Sequence, residues 1–298
     1  MTKLTEAVRN NLYLGIDGGG SQCRVLLQDS QGVVLGQGYG GPANPVNGLQ
    51  QTTDSILQAS KAALQQAGLS EQYLNRLVVG AGLAGLHLPA MQQAMEQWQH
   101  PFQALYLTTD LHVAALGAHQ GMDGAVIILG TGFSSVASVG GKLTRIGGYG
   151  FPVNAVCSGA WFGLEAVKAV LLDADGVGLA TSLSGQMLKD CSATELAEQL
   201  MQATATDFAR FAPLVFAAAD LGDKVSLGLI QQGADFINQV IRRLLATGAP
   251  RLTLTGGITE RITPWLAPQL LSCITPALAS PEQGAVLLAQ QCHAQLQN

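Results

Sequence analysis

Residue types that could do chemistry gather at two glycine-rich breaks in apolar runs. The first is Leu12-Tyr-Leu-Gly-Ile-Asp17-Gly18-Gly19-Gly20-Ser21, which delivers one carboxylate and three consecutive glycines into a tight turn. Glycine lacks a Cβ, so such a backbone can approach an anion and aim successive N–H groups at it. An acidic residue at the strand tip can hold the metal ion that accompanies phosphates. The pattern is that of a phosphate cradle; a glycine turn closing an ordinary hairpin has the same local signature. A second copy, Ala125-Val-Ile-Ile-Leu129-Gly130-Thr131-Gly132-Phe133-Ser134, separates the two readings.

Both copies continue alike. Cys23–Asp29, a turn at Ser30-Gln31-Gly32 and Val33–Leu35 follow the first; Ser135–Val139, a turn at Gly140-Gly141-Lys142 and Leu143–Ile146 follow the second. Each copy therefore reads as strand, loop, strand, turn, strand. Two such units point to a duplicated fold whose loops face each other across a cleft that holds a polyphosphate. Rival phosphate motifs demand other spacings. No G-x-x-x-x-G-K-[ST] occurs, and Gly18–Cys23 leads into a strand, whereas a dinucleotide fingerprint must open a helix.

Composition fits this picture and excludes other classes. The chain has 298 residues, 48% of them hydrophobic, enough for two domains with cores of their own. Charged residues make up 12% and the net charge is −5, so no basic field is present to hold a nucleic acid. No apolar run reaches the roughly 20 residues a bilayer span needs, and Met1–Ala7 lacks the apolar core of a signal peptide, so a cytoplasmic protein without a membrane partner is expected. Five scattered cysteines form no C-x-x-C pair, and the five histidines form no H-x-x-x-H pair; buried free thiols and no structural metal are expected.

Periodicity and breakers place the remaining elements. Gly48–Ala67 carries apolar residues at helical spacing and stops at Gly68. Leu74–Gly80 reads as a strand, Pro89–Gln97 as a helix, Ala104–Thr108 as a strand, and a helix starts at Leu111. Helical patterns then cover Ser158–Asp173, Ala193–Gln202, Thr206–Ala219 and Lys224–Thr247. Arg251–Gly257 is a further strand ending in Thr255-Gly256-Gly257, and Pro281 and Gly284 precede a final amphipathic helix. The expected division is an N-terminal domain over 1–120 and a helix-rich one over 121–283, with helix 284–298 packing back onto the first.

The three glycine motifs, in this order, resemble the nucleotide-contacting motifs of the sugar kinase, heat-shock and actin ATPase superfamily. More closely, Leu107–Asp110, Gly147-Gly148-Tyr-Gly150-Phe-Pro and Ser158-Gly-Ala-Trp161-Phe-Gly163-Leu-Glu165-Ala166 resemble the N-acetylglucosamine and glucosamine kinases of the BadF/BadG/BcrA/BcrD ATPase group. The resemblance covers nearly the whole chain and implies an α/β fold of two actin-like domains, a duplicated ribonuclease H-like motif with the nucleotide in an interdomain cleft. It implies an ATP-dependent kinase acting on the primary hydroxyl of N-acetylglucosamine or glucosamine, with Mg²⁺ and a homodimeric assembly. Asp110 is then the catalytic base and Asp17 the Mg²⁺ ligand. Gly18, Gly19, Gly20, Ser21, Gly130, Thr131, Gly132, Ser134, Gly256 and Gly257 surround the nucleotide, and Asn44, Ala84, Gly85, Gly147 and Gly148 contact the sugar.

On its residues alone, Asp110 could equally cap the helix at Leu111, and Asn44 could be a turn residue before Pro45. The chain also departs from the pattern. Where relatives carry Gly-Asp-Glu-Gly-Ser it has Asn154-Ala155-Val156-Cys157-Ser158, without the acidic sugar contact; Gln22 replaces a basic residue and Phe133 a small one. Two alternatives belong beside the kinase: an activase of the same group, which needs a cysteine-ligated cluster, and a nucleotide-binding sensor, which would not need Asp110.

Overall fold

A computed structural model describes residues 11–296, which divide into two compact units. One comprises the described residues up to Asp123 together with those from Ala277 onward; the other is Gly124–Pro276. The division thus lies at 123/124 and 276/277, against the expected 120/121 and 283/284.

In the first unit, strands β1 (Leu12–Gly18), β2 (Cys23–Gln28), β3 (Val34–Gly40), β4 (Leu77–Leu83) and β5 (Ala104–Thr109) form one sheet in the order β3-β2-β1-β4-β5. β1 to β3 are antiparallel neighbours, whereas β4 and β5 run parallel to β1. Helices α1 (Leu49–Gln66), α2 (Pro89–Glu96) and α3 (Asp110–His119) are the intervening segments. α1 stops as the sequence predicts: Gly68 takes φ +71 and Leu69 N donates to the Leu64 carbonyl. Its approach to β3 is written in alternate glycines. A Cβ on Gly36, Gly38 or Gly40 would stand 2.2, 1.9 or 2.3 Å from the carbonyl oxygens of Ala63, Ala59 and Ser55, one helical turn apart each time.

The strand expected over Leu74–Gly80 begins instead at Leu77, because Glu71–Arg76 winds into a 3₁₀ turn. The helix cap that is the alternative reading of Asp110 is supplied by Thr109, whose Oγ1 accepts from His112 N at 3.2 Å; α3 already starts at Asp110.

The second unit repeats the pattern with β6 (Gly124–Leu129), β7 (Phe133–Val139), β8 (Lys142–Gly147) and β9 (Leu252–Thr255), ordered β8-β7-β6-β9. β6 to β8 are antiparallel and β9 lies parallel to β6, reproducing β3-β2-β1-β4. Between β8 and β9 lie α4 (Gly159–Ala174), α5 (Ser182–Met187), α6 (Ala193–Leu200), α7 (Ala205–Ala209), α8 (Ala212–Asp220) and α9 (Lys224–Leu245), and after β9 come α10 (Thr259–Ile262) and α11 (Pro268–Leu271). The single helix expected over Thr206–Ala219 is broken between α7 and α8, where Pro213 cannot donate a helical N–H and so sits in a new first turn. Phe162, fully buried, anchors this core between Trp161 and Phe216 at centroid distances of 4.9 and 5.0 Å.

The last helix, α12 (Pro281–Gln295), returns to the first sheet. Its backbone lies so close that a Cβ on Gly15 or Gly80 would stand 1.9 or 2.0 Å from the Glu282 or Ala285 oxygen.

Candidate functional site

Parallel register levels the strand ends of the first unit. Gly18 pairs with Leu83, and Leu83 with Thr109, so the segments following β1, β4 and β5 leave the sheet side by side. Open α/β sheets bind ligands at such carboxyl edges. Backbone hydrogen bonds join the segments: Gly19 N donates to Gln22 O at 2.9 Å, Ala43 N to Gly19 O at 2.9 Å, and Ala84 N to Gly18 O at 2.8 Å. Asn44 and Gly85 also meet, since a Cβ on Gly85, whose φ is +84, would stand 2.5 Å from Asn44 Oδ1. That oxygen accepts from Val46 N at 3.1 Å, so the turn role of Asn44 is real. Beside Gly20 there is open space; apart from its chain neighbours, no heavy atom of the described residues lies within 4 Å of where its Cβ would be.

Asp17 is a partly buried charge of this edge. Arg24, its partner in the β1–β2 register, donates Nη2 to Asp17 Oδ2 at 2.5 Å and reaches Glu282 Oε1 with Nε at 2.9 Å. Burial pushes the Asp17 carboxyl up from its ordinary value, Arg24 pulls it back, and the nearby Glu282 and Asp110 carboxylates add to the rise. Asp110 stands in the first turn of α3, its Oδ1 accepting from Leu111 N at 2.9 Å. Next to it, His112 is held by Thr108 Oγ1 at 2.8 Å, and burial lowers its pKa.

The second unit builds a tight glycine turn from the β6–β7 hairpin. Leu129 pairs with Phe133, and Gly130 N donates to Gly132 O at 3.0 Å. The start of α4 holds the loop from behind, with Gly159 N on Gly130 O at 2.8 Å and Ala160 N on Thr131 O at 3.1 Å. The opening amides of a helix, which have no intrahelical partner, are thereby used to fix the cradle. Gly256, at φ +104, brings the end of β9 against it: a Cβ there would lie 2.3 Å from Leu129 O, which accepts from Ile258 N at 3.0 Å. Gly130, Thr131, Gly159 and Gly257 line a cavity of 620 Å³, whose other walls are mainly α8 and α10. That volume suits a nucleoside-sized ligand.

Proteins of known kind share this plan. The sequence profile of the BadF/BadG/BcrA/BcrD ATPase family matches residues 14–289. The chain belongs to that family. It is 34% identical over 281 residues to a glucosamine kinase of Vibrio cholerae, spanning 94% of this chain and 96% of that one. An N-acetylglucosamine kinase of Dictyostelium discoideum is 26% identical, with 93% and 97% covered. Among solved structures, one from Chromobacterium violaceum described as an N-acetylglucosamine kinase superposes with a TM-score of 0.87 at 30% identity, covering 94% and 99%. A Streptomyces griseus ROK family glucokinase shares the fold alone, at TM-score 0.54 and 17% identity.

Within this ATPase fold, the expected residues sort by position. Asp17, the Gly18–Ser21 turn, Asn44, Ala84, Gly85 and Asp110 share one edge of the first unit. Gly130, Thr131 and Gly257 reach the cavity of the second, whereas Ser134 lies instead against Gly148, 3.2 Å from where that glycine's Cβ would be. Gly147 and Gly148 take φ +70 and +73, and Arg145 ties down their carbonyls at 3.2 and 2.5 Å.

The unusual Phe133 turns into the core. It is 4% exposed, meets the Phe236 ring edge-on at 5.0 Å, and fills the space a Gly147 side chain would need. Asn154, just before the Ala155-Val156 pair that replaces the acidic residues, carries a buried Oδ1 with no hydrogen-bond partner among the described residues. Sequence reasoning missed Phe216, Asp220 and Arg261, which line the cavity. Only the fold gathers them; no local pattern marks α8 as a ligand wall.

Proposed function

We propose that this chain is an ATP-dependent kinase that phosphorylates an amino sugar, glucosamine or N-acetylglucosamine, on its 6-hydroxyl. The observation that carries the reading is the levelled edge of the first sheet, where the Gly18–Gly19 turn is hydrogen-bonded to both the Ala43–Asn44 and Ala84–Gly85 segments, with Asp17 and Asp110 at neighbouring strand ends. It is the arrangement a phosphoryl transfer to a sugar hydroxyl requires: a carboxylate to orient and deprotonate the acceptor, and backbone amides for the phosphates.

In this reading Asp110 accepts the hydroxyl proton as the oxygen attacks the γ-phosphorus in line and the bond to the β-phosphate oxygen breaks, ADP leaving. The Asn44 amide and the Ala84–Gly85 and Gly147–Gly148 segments orient the sugar. The Gly20, Ser21, Thr131 and Gly132 amides, with the Ser21 and Thr131 hydroxyls nearby, bind the phosphates. Gly257 lets the nucleoside lie against backbone, while Gly256 lets the end of β9 close on Leu129.

Asp17 suits Mg²⁺, which commonly takes one or two carboxylates and substrate phosphates while keeping several waters. Its Oδ2 is engaged by Arg24, and its Oδ1 makes no hydrogen bond among the described residues. Bound there through water, the ion would neutralise charge on the β- and γ-phosphates. A homodimer is the assembly proposed for the chain, to be checked by sedimentation. At 34% identity the glucosamine kinase stands above the 26% of the N-acetylglucosamine kinase, so glucosamine is the acceptor to try first.

The test is ADP release with Mg-ATP against glucosamine, N-acetylglucosamine, N-acetylmannosamine, glucose and no sugar. Release that depends on an amino sugar is expected. Asp110→Asn should lower kcat about 10²- to 10⁴-fold and leave ADP affinity as it was. Turnover without sugar, or a near-normal kcat in that variant, would overturn the reading.

A further inference from the structure

The second unit's cavity contains a cation that is already spoken for. Arg261, on α10, donates from Nη2 to Asp220 Oδ2 at 2.5 Å and to the Phe216 carbonyl at 3.1 Å. Its guanidinium carbon lies 5.3 Å from the centroid of the Phe216 ring. One side chain is thus gripped by a carboxylate, a carbonyl and an aromatic face, all from α8, and all three residues line the cavity. With 46% of the Arg261 side chain and 62% of the Asp220 side chain exposed, the pair forms a lip and not a floor.

The remaining lining says what such a lip can do. Ala212, Pro213, Phe216, Ala217 and Ile258 supply apolar wall, and the polar side chains are Thr131, Asp220 and Arg261 alone. Thr131 belongs to the Gly130–Gly132 turn, and the Asp220 carboxylate is engaged by Arg261. No uncommitted amide side chain is present among the lining residues to read the hydrogen-bonding edge of a base. A guanidinium fixed by a carboxylate and a carbonyl, with the Phe216 ring on one side, has, by contrast, its other side left as a stacking surface for an aromatic ring.

We infer that this cavity recognises a purine by stacking against the clamped Arg261 plane and apolar walls, so that adenine, guanine and hypoxanthine nucleotides bind it alike. The inference rests on the nucleotide reading above and goes beyond it by assigning base tolerance to named residues. The physical reason is an asymmetry in selectivity. A site that hydrogen-bonds a polar group rejects an analogue lacking it by about 10⁴-fold or more, whereas an apolar pocket discriminates near-isosteres by only about 10²-fold or less. Pyrimidines offer less ring area to the same surface and should bind more weakly.

The experiment is displacement of a fluorescent ADP analogue from the full chain by ADP, GDP, IDP, CDP and UDP, with no sugar present. The three purine diphosphates are expected within about 10-fold of one another, with CDP and UDP at least about 5-fold weaker. Arg261→Ala should weaken all three purines in parallel by about 5- to 30-fold, and Arg261→Lys should not restore them, because an ammonium has no plane to stack. A preference above 100-fold for ADP over GDP, or for GDP over ADP with the preference lost in Asp220→Asn, overturns the inference while leaving the nucleotide reading intact. Unchanged ADP affinity in a folded Arg261→Ala also overturns it. If neither the analogue nor any diphosphate binds a cooperatively melting protein, both fall. The wild-type series does not depend on any variant folding.

Discussion

Two glycine-to-alanine substitutions separate what a glycine does for the fold from what it does for a ligand. Apart from its chain neighbours, Gly20 has no heavy atom of the described residues within 4 Å of its Cβ position and no left-handed φ, so Gly20→Ala costs no packing. Such a change commonly stabilises by about 0.4–1 kcal/mol through the unfolded state. At roughly 2–4 °C per kcal/mol for a domain of this size, Tm should stay level or rise by up to about 4 °C. If phosphate oxygens approach this backbone, the new methyl displaces them and breaks one charge-assisted hydrogen bond of about 1.5–3 kcal/mol. ADP affinity should then fall about 10- to 100-fold.

Gly38 is the control. A Cβ there would stand 1.9 Å from the Ala59 oxygen and 2.8 Å from the Ala63 nitrogen, both backbone atoms of α1. Relief requires lifting the helix off β3, so Gly38→Ala should lose about 1–3 kcal/mol or more while ADP affinity is kept in the folded fraction. Thermal melts and equilibrium binding measure both. A drop in Tm for Gly20→Ala as large as that for Gly38→Ala, or wild-type ADP binding by Gly20→Ala, would refute the reasoning.

Two further outcomes follow from the ionisable groups. Asp223 caps α9 through Ser226 N at 2.8 Å and also accepts from Ser182 N at 2.7 Å and Thr181 Oγ1 at 2.9 Å. Burial pushes its carboxyl up, but these donors outweigh it and bring the pKa down to about 2. A depressed carboxylate pKa contributes stability that is complete above the ordinary value of 3.8 and lost as pH falls through about 2. Asp223→Asn should therefore lower Tm at pH 7, and the gap to wild type should close between about pH 4 and 2; a gap constant across that range would refute the assignment. Burial, with Asp17 and Glu282 nearby, pushes the Cys23 thiol up to about 12, so it should resist alkylation in the native protein at pH 8 and react once unfolded. Mass mapping of iodoacetamide adducts decides this, and native labelling of Cys23 would contradict it.

Much of the local structure was legible because it is local. Apolar runs ending in glycines mark β1 and β6, the repeated strand-turn-strand pattern shows that two sheets share one plan, and Gly68 marks the end of α1. Misjudgements arose where neighbouring residues compete. Thr109 took the cap from Asp110, because its extended backbone aims Oγ1 at His112 N while Asp110 is already helical. Pro213 divided one amphipathic stretch into α7 and α8. Phe133, unusual beside the Gly130–Gly132 turn, proved to face the core, since alternate strand residues point to opposite sides.

By itself the sequence named the candidate carriers of chemistry, Asp17, Asp110 and the three glycine turns, because an anion site needs bare backbone and a proton acceptor needs a carboxylate. It also determined that the fold is doubled. The tertiary structure alone decided which of these residues share a surface: levelled parallel strands put Asp17, Asn44, Gly85 and Asp110 on one edge. It alone decided that Arg24 joins Asp17 to Glu282, 258 positions later in the chain, and that Arg261 closes on Asp220 and Phe216 from another helix. The reason is physical: turns and caps form from bonds a few residues apart, whereas a cavity wall or a buried ion pair exists only after distant elements have packed.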